Sequence, residues 1–253
     1  MRAARFMMIA ALLSAMLFAV GARAQQTDSP AERLLFDAAN RERASRGLPQ
    51  LEWNDALASA ARQHALLMAQ RGAISHQFPG EAGLGARASR AGARFSAVAE
   101  NVAEAPSADQ IQSGWMNSPP HRQNLLDPEL DSIGIAVAER GGELFAAEDF
   151  SRAVADLSVE EQEAKLGSLL RAEGLHLVAR VEDARRVCAG GRVASGNPQP
   201  LIYFRYDAAD INSLPEALQQ RINSGRYHSA AVGACRGSGQ DGFTAYHLAV
   251  LLY

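Results

Sequence analysis

The sequence predicts an α+β protein in two parts, and three patterns support this prediction. Helix-capping signals precede segments whose apolar residues recur at helical spacing. Two segments of alternating polarity flank the turn residues Gly141-Gly142, as in a β-hairpin. The pattern changes after Arg152. We therefore expect a first domain over residues 25–152, with a hairpin packed on helices, and a smaller α+β domain over residues 153–253.

Residues 1–24 are typical of a secretory signal peptide. Arg2 and Arg5 precede a largely apolar stretch over residues 6–20, and Ala22-Arg23-Ala24 supplies a small-x-small cleavage pattern. The stretch is shorter than the roughly 20 residues that a spanning helix needs, which favours cleavage over a membrane anchor. We expect a secreted or periplasmic protein with no transmembrane segment after cleavage.

The charge of the chain argues against nucleic-acid binding. The 25 Lys and Arg residues against 28 Asp and Glu give a net charge of −3. Removal of residues 1–24 takes away three arginines and no acid, so 22 basic residues face 28 acidic ones and the net charge becomes −6. A mildly acidic protein without a basic stripe is not expected to bind nucleic acid or an anionic membrane surface.

Two helices open the first domain. A capping box at Ser29-Pro30-Ala31-Glu32 predicts a helix that runs to about Arg46, where Gly47 ends it. The next helix is predicted from Asn54-Asp55 to Arg71. His64 lies on the apolar face of this second helix, which favours a hydrogen-bonded core histidine over a ligand.

The rest of the first domain alternates between helix and strand. Residues 80–92 predict a short helix, residues 98–102 an extended segment, and residues 107–116 a capped helix. Asn117-Ser118-Pro119-Pro120 must end that helix, since consecutive prolines remove two amide donors, and His121 is expected in a stiff loop. Residues 132–139 and 143–150 complete the domain as the hairpin.

The second domain is predicted from weaker signals. Its expected elements are a helix from Ser158 to about Glu173, an extended segment 175–179, a short helix ending near Cys188, a strand 201–206, a helix 213–223, and strands 229–234 and 243–253 joined by a turn at 237–242. His228 and His247 lie on or beside strands with no carboxylate pattern around them, so core or surface roles are favoured.

The two cysteines of the chain, Cys188 and Cys235, both fall in the second domain. In an exported protein a disulfide between them is favoured over two free thiols. Such a bond would stabilise the domain by about 4 kcal/mol in the chain-entropy model. A thiol nucleophile or a metal site is the alternative, but it lacks a CxxC spacing or an evident partner.

Three short polar motifs in the first domain carry the strongest functional signal: Ser75-His76-Gln77, Ala99-Glu100-Asn101 and Trp115-Met116-Asn117-Ser118-Pro119-Pro120-His121-Arg122. Histidine and glutamate side chains that meet in one cleft bind a divalent metal ion or perform acid/base chemistry. His76, Glu100 and His121 are 24 and 21 residues apart, so only the tertiary fold can bring them together.

Further motifs occur in a fixed order around these three: Asn40-x-x-Arg43, Gly47-Leu48, Leu51-x-Trp53, Leu57-x-x-x-Ala61 and Glu148-Asp149-Phe150. The ordered set resembles the CAP superfamily of cysteine-rich secretory proteins, antigen 5 and pathogenesis-related proteins, in its cysteine-poor, bacterial, SCP-like branch. The resemblance covers about residues 30–152 and implies an αβα sandwich with a central cleft.

The resemblance also implies a set of cleft residues. The family's tetrad of two histidines and two acids, which can bind zinc, maps onto His76, Glu100, Ser118 and His121. Ser118 stands where the second acid is expected. A hydroxyl is a weak zinc ligand and no general base at neutral pH, so His76, Glu100 and His121 remain as metal ligands. The cleft would hold zinc or another divalent ion weakly, and no other cofactor is expected.

Three functions remain open at this point. The incomplete tetrad favours a non-enzymatic module that binds a metal or an extracytoplasmic ligand, such as a lipid, a peptide or a cell-envelope component. One alternative is a metal-dependent hydrolase acting on peptide or cell-envelope substrates, for which no catalytic residue is assigned. The other is a structural or interaction protein in which Glu100 and the histidines hydrogen-bond one another in an inert cleft. Glu148 or Asp149 also faces the cleft, depending on the strand register.

Overall fold

The computed structural model describes residues 29–194, 198–237 and 243–253. The predicted signal peptide and all but the first residue of the predicted turn at 237–242 lie outside these ranges. The described residues form two α/β sandwiches. The first sandwich comprises α1 (Pro30–Ala44), β1 (Glu52–Trp53), α2 (Asp55–Arg71), α3 (Leu84–Arg90), β2 (Phe95–Ala105), α4 (Ala108–Asn117), α5 (Pro119–Leu125), β3 (Ser132–Arg140) and β4 (Glu143–Ala153). The second comprises α6 (Val159–Ala172), β5 (His176–Leu177), α7 (Val181–Cys188), β6 (Ile202–Ala208), α8 (Glu216–Ile222), β7 (Ser229–Cys235) and β8 (Tyr246–Leu252).

The sheet of the first sandwich has the strand order β1-β3-β4-β2. Strand β1 pairs parallel with β3, and the other pairs are antiparallel. Helix α2 packs on one face of this sheet, where Ala65 and Met68 contact Ala136 and Phe145. Helices α1, α4 and α5 cover the other face around Trp115. These two apolar layers form the αβα sandwich that the resemblance implies.

Local signals in the sequence explain where these helices begin and end. Ser29 and Glu32 form the predicted capping box at α1. Asn54 caps α2, which ends at Gly72 in the left-handed conformation. Gly134 allows α2 to lie close to the sheet, since a Cβ atom there would collide with the backbone of Leu57 and Ala58.

The second sandwich repeats the topology of the first. Its strand order is β5-β7-β8-β6, with a short parallel first strand and two antiparallel pairs. Helix α7 covers one face of the sheet, and α6 and α8 cover the other. Gly233 lies against the backbone of α7 as Gly134 lies against α2. Both sandwiches therefore follow the order helix, strand, helix, strand, helix and hairpin. In the second sandwich α6, α7 and α8 correspond to α1, α2 and α4 of the first.

Most predicted elements are confirmed, and the differences lie at their ends. The predicted stiff loop at His121 is wrong, because Pro119 and Pro120 occupy the first turn of α5 and start a new helix there. Strand β2 is longer than predicted, and the extended segment after α6 pairs only at His176 and Leu177.

The predicted disulfide is confirmed. Cys188 at the end of α7 is bonded to Cys235 at the end of β7, with 5.8 Å between their Cα atoms. A sequence separation of 47 residues makes this a long closed loop within the second sandwich.

The two sandwiches contact each other through backbone and side chains, including a hydrogen bond of 2.8 Å from the Thr244 amide to the Phe95 carbonyl. The Phe95 ring lies edge-on to Phe243 at 5.2 Å between centroids. The Tyr246 hydroxyl donates a hydrogen bond of 2.7 Å to the Ala155 carbonyl in the connection between the sandwiches. A bilayer-spanning helix, judged by length and apolar content, is absent from the described residues.

Candidate functional site

The candidate cleft lies at strand β2, which forms one edge of the first sheet. Side chains alternate between the two faces of a strand. Glu100 therefore points to the face covered by α2 and α3, and its neighbour Asn101 points to the face covered by α5. His76 approaches from the segment after α2, and His121 from the first turn of α5. The adjacent residues Glu100 and Asn101 of β2 therefore face opposite sides of the sheet, one toward His76 and the other toward His121.

Both oxygens of the buried Glu100 carboxylate are engaged. His76 Nδ1 donates to Glu100 Oε2 over 2.8 Å, and Arg87 Nη2 donates to Glu100 Oε1. Arg87 also donates to the His76 carbonyl over 3.1 Å, so it fixes the backbone that carries His76. The His76 side chain is 62% exposed, whereas that of Glu100 is 3% exposed. Because Nδ1 is the donor, Nε2 of His76 is the nitrogen that remains available to a ligand.

Asp149 lies directly opposite Glu100 in the pairing of β2 with β4 and is fully buried. Neither of its oxygens has a hydrogen-bonded donor in the described part of the chain. Burial raises the pKa of Asp149 well above its usual range, and the Glu100 charge raises it further. Asp149 therefore resists ionisation, and the Arg87 guanidinium is bonded to Glu100 and not to Asp149.

The other face of the same strands holds an amide network. Asn101 Nδ2 donates to the His121 carbonyl and to Glu148 Oε2, both over 3.1 Å. Asn124 Nδ2 donates to Asn101 Oδ1 over 3.0 Å and to the Glu100 carbonyl over 3.2 Å. Glu148 is fully buried, and burial raises its pKa to about 8. This network fixes α5, and with it His121, against the sheet.

His121 lies close enough to His76 for the charge of His76 to affect its titration. Burial lowers the pKa of His121, and the charge of nearby His76 lowers it further. Nδ1 of His121 is buried without a hydrogen-bond partner among the described residues. The ring is therefore neutral at neutral pH, which is the form that binds metal ions.

His64 on α2 bonds to the segment that carries His76. Its Nδ1 lies 2.6 Å from Glu81 Oε1 and its Nε2 lies 2.7 Å from the Ser75 carbonyl. Both partners are acceptors, so the ring donates from both nitrogens. The side chain has no exposed surface, which confirms the predicted hydrogen-bonded core histidine. Since Ser75 precedes His76, this contact also positions the cleft histidine.

The other predicted residues have the following places. Ser118 is partly buried at the junction of α4 and α5, where its carbonyl accepts from the Arg122 amide over 2.9 Å. Arg122 Nη1 donates to the Met116 carbonyl over 2.7 Å. Trp115 is buried in the core of the first sandwich and donates to the Val102 carbonyl over 3.2 Å.

Arg87 is the site residue that sequence reasoning missed. It lies in residues 80–92, where the sequence predicts a short helix but nothing local separates Arg87 from Arg90. Only the structure distinguishes them, since Arg87 is buried on α3 and Arg90 is exposed.

Within the described ranges, no three His, Cys, Asp or Glu residues are grouped so that they could hold a metal ion. Glu100 is already bonded to His76 and Arg87, so its oxygens are not open to an ion. The donors that fit a metal are the exposed Nε2 of His76 and the imidazole of His121, whose Nδ1 lacks a partner in the described structure. Two imidazoles fit a weak site with open coordination positions.

Comparison with known proteins places residues 36–150 in a family. This segment matches the model of the CAP family, described as the cysteine-rich secretory protein family. The protein YkwD of Bacillus subtilis is 28% identical over 111 residues, which cover 44% of this chain and 43% of YkwD. The membrane protein YlbC of the same organism is 28% identical over 117 residues, covering 45% of this chain and 33% of YlbC. The chain thus spans less than half the length of either relative.

Two solved structures are similar over the same half of the chain. An outer surface protein from Borrelia burgdorferi is 20% identical, covers 49% of this chain and 94% of its own, and superposes with a TM-score of 0.47. An extracellular protein containing an SCP domain from Bacillus anthracis is 30% identical, covers 49% of this chain and 41% of its own, and has a TM-score of 0.45.

Proposed function

Because residues 36–150 belong to the CAP superfamily, we propose that this protein is an exported, non-enzymatic binding module whose cleft holds a divalent metal ion weakly between His76 and His121. The observation that carries the proposal is the orientation of the two rings. His76 is fixed through Nδ1 by Glu100, which leaves Nε2 exposed, and neutral His121 lies close by with Nδ1 unpaired among the described residues.

In this arrangement Glu100 does not bind the ion. Instead it orients His76, which does. A carboxylate that accepts a hydrogen bond from the far nitrogen of a histidine fixes its tautomer and its direction. A bound ion would serve as a Lewis acid toward an oxygen of the ligand. The ligand itself would be an extracytoplasmic lipid, peptide or cell-envelope component, as expected for a chain with the features of a signal peptide.

The hydrogen bonds of the cleft argue against hydrolysis. A hydrolase needs a carboxylate or imidazole that can accept a proton from water. Glu100 is neutralised by Arg87 and bonded to His76. Asp149 is fully buried, and Ser118 stands where the resemblance implies the second acid. These groups position each other, and the imidazoles of His76 and His121 would be occupied by the ion, so no free base remains at the proposed site.

Calorimetric titration with zinc tests the proposal. We expect heat of binding in the wild type and a loss of affinity of about tenfold or more in the His76→Ala/His121→Ala double variant. The matched control is His176→Ala/His228→Ala, which removes two exposed histidines from the second sandwich and should bind as the wild type does.

Two results would overturn the metal site: no heat above background in the wild type, or equal affinity in the cleft variant. Turnover of peptide, ester or peptidoglycan substrates that disappears in the same variant would instead establish the hydrolase.

A further inference from the structure

The second sandwich carries a row of chemically reactive side chains on the face that corresponds to the Glu100 face of the first. Strand register places Cys235 opposite His247, and His247 opposite Asp207. Directly opposed residues point to the same face, with Cβ atoms about 4.5–5.5 Å apart. Gly233, two residues before Cys235, packs against α7, so this row faces the α7 side of the sheet.

The two nitrogens of His247 point to opposite ends of this row. Nδ1 lies 2.7 Å from Asp207 Oδ1 on β6. Nε2 therefore points the other way, toward β7, where the backbone of Gly237 covers it so closely that a Cβ atom would collide with it. Nε2 is buried and lacks a hydrogen-bond partner in the described part of the chain. The ring is thus oriented by a carboxylate, with its second nitrogen directed at the end of the strand that holds Cys235.

The two sulfur atoms differ in their access to solvent. Cys188 is 4% exposed, whereas Cys235 is only partly buried. Both cysteines border a cavity of about 490 Å³ that His247 and Asp207 also line. Arg205 and Arg236 line the same cavity and add positive charge beside the sulfur atoms. An external thiol would therefore reach Cys235 first, in an environment that favours thiolate.

We propose that Cys188–Cys235 is a redox-active disulfide that exchanges with external thiols. Cys235 reacts with the external sulfur and Cys188 is the buried resolving cysteine. His247 stabilises the Cys235 thiolate through the ring nitrogen that faces away from Asp207, and Asp207 is the positioning residue that holds His247. The substrate class is a low-molecular-weight or protein thiol, with the corresponding disulfide in the reverse direction.

The exchange balances in two steps. A thiolate RS⁻ attacks Cys235 Sγ, and the Cys188–Cys235 bond breaks with its electron pair on Cys188 Sγ, which takes a proton. A second RS⁻ attacks the external sulfur of the mixed disulfide, which gives RSSR and the Cys235 thiolate beside His247. Two thiols are oxidised to one disulfide while the protein disulfide is reduced to two cysteines. Stabilisation of the product thiolate shifts this equilibrium toward the reduced protein.

Equilibration of the disulfide-intact protein with reduced and oxidised glutathione tests the proposal, with acid quenching and maleimide trapping to count free thiols. The measured quantity is the ratio of the squared concentration of reduced glutathione to the concentration of oxidised glutathione at which half of the protein is reduced. We expect this ratio to be roughly tenfold higher in the His247→Asn and Asp207→Asn variants than in the wild type. His228→Asn, which removes an exposed histidine beside β7, is the matched control and should titrate as the wild type does.

A second measurement isolates Cys235. In Cys188→Ser, iodoacetamide alkylation should show a pH midpoint below the value of about 8.5 for a free thiol, and adding Asp207→Asn should raise that midpoint. A midpoint of about 8.5 or higher that Asp207→Asn leaves unchanged would overturn the role of His247. If Cys188→Ser does not fold, the glutathione equilibrium decides, and equal values in the wild type, His247→Asn and His228→Asn would overturn the proposal.

Discussion

At the residue scale, Glu100 shows how this cleft tolerates a buried charge. An isolated buried carboxylate costs several kcal/mol, and it becomes tolerable when opposite charge and hydrogen bonds surround it. Here Arg87 supplies the opposite charge, His76 supplies the second hydrogen bond, and the raised pKa of Asp149 disfavours a second negative charge beside Glu100. The same contacts that stabilise Glu100 orient His76 toward the cleft.

Removal of the Arg87 charge should therefore destabilise the protein strongly. We expect Arg87→Met to lower the free energy of unfolding by about 3–5 kcal/mol, because it leaves Glu100 buried and uncompensated. Urea denaturation measures the change. Arg90→Met, at an exposed position of the same helix, is the matched control. The double variant Arg87→Met/Glu100→Gln should recover part of the loss, and a double variant no more stable than Arg87→Met would contradict this account.

Glu148 makes stability depend on pH. In the folded protein its pKa is about 8, against a usual value of 4.5. Between these values the folded state keeps the proton that the unfolded state has lost, so the free energy of unfolding falls as pH rises from 4.5 to 8. We expect Glu148→Gln to remove this loss and to raise stability at pH 8 by up to about 5 kcal/mol relative to the wild type.

Denaturation of wild type and Glu148→Gln at about pH 5 and about pH 8 measures the effect. The difference between the two proteins should be small at the lower pH and large at the higher one. Glu139→Gln, at an exposed position of β3, serves as the control. Equal pH dependence in the wild type and Glu148→Gln would show that Glu148 does not cause the loss.

At the element scale, close contact between helix and sheet depends on one glycine in each sandwich. Gly134 lets the backbone of α2 approach β3, and Gly233 does the same for α7 and β7. Arg43 makes a comparable contribution on the opposite face. It is fully buried and donates to the carbonyls of Pro49, Leu125, Asp127 and Leu130, which ties α1 to the segment that follows α5.

A methyl group at Gly134 should displace α2. We expect Gly134→Ala to lower the free energy of unfolding by about 3 kcal/mol or more, because the added atom would meet helix backbone that cannot move alone. Gly114→Ala is the control, since a Cβ atom in α4 meets nothing within 4 Å among the described residues. That control should stabilise the protein by about 0.5–1 kcal/mol. Thermal denaturation of both variants tests the contrast, and equal effects would refute it.

At the scale of the whole molecule, the two sandwiches share a topology and differ in chemistry. The first places histidines and buried carboxylates around an edge strand, while the second places a disulfide and a His-Asp pair on the corresponding face. The contacts that join the two include Phe95 with Phe243, Tyr246 with the Ala155 carbonyl, and an Arg152–Asp210 ion pair. We propose that the two sandwiches unfold as separate units.

The aromatic residues allow a direct test of this independence. Both tryptophans of the chain, Trp53 and Trp115, lie in the first sandwich, and all five tyrosines follow residue 200 in the second. Cys188→Ser/Cys235→Ser removes a closed loop of 47 residues and should destabilise the second sandwich by about 4 kcal/mol. We expect the urea transition measured by tyrosine fluorescence and circular dichroism to shift to lower urea concentration. The transition measured by tryptophan fluorescence should stay in place. Equal shifts of both would show a single cooperative unit.

The sequence by itself determined the elements and the family resemblance of the first half. Capping residues, helical spacing and Gly141-Gly142 act over a few neighbouring residues, so α1, α2, α4 and the hairpin could be predicted. The expectation that the chain is exported to an oxidising compartment predicted the disulfide. The ordered motifs also identified His76, Glu100 and His121. Their exact partners could not be predicted, because they come from residues far apart in sequence.

Tertiary structure alone decided which groups meet. Arg87 on α3 reaches Glu100 on β2, and strand register assigns Asp149 to the Glu100 face and Glu148 to the Asn101 face. Asp207 lies 40 residues from His247 and becomes its partner only through the pairing of β6 with β8. The shared topology of the two halves likewise follows from strand order, which local signals do not specify. Short-range steric and hydrogen-bond preferences fix the elements, whereas burial and register choose their partners.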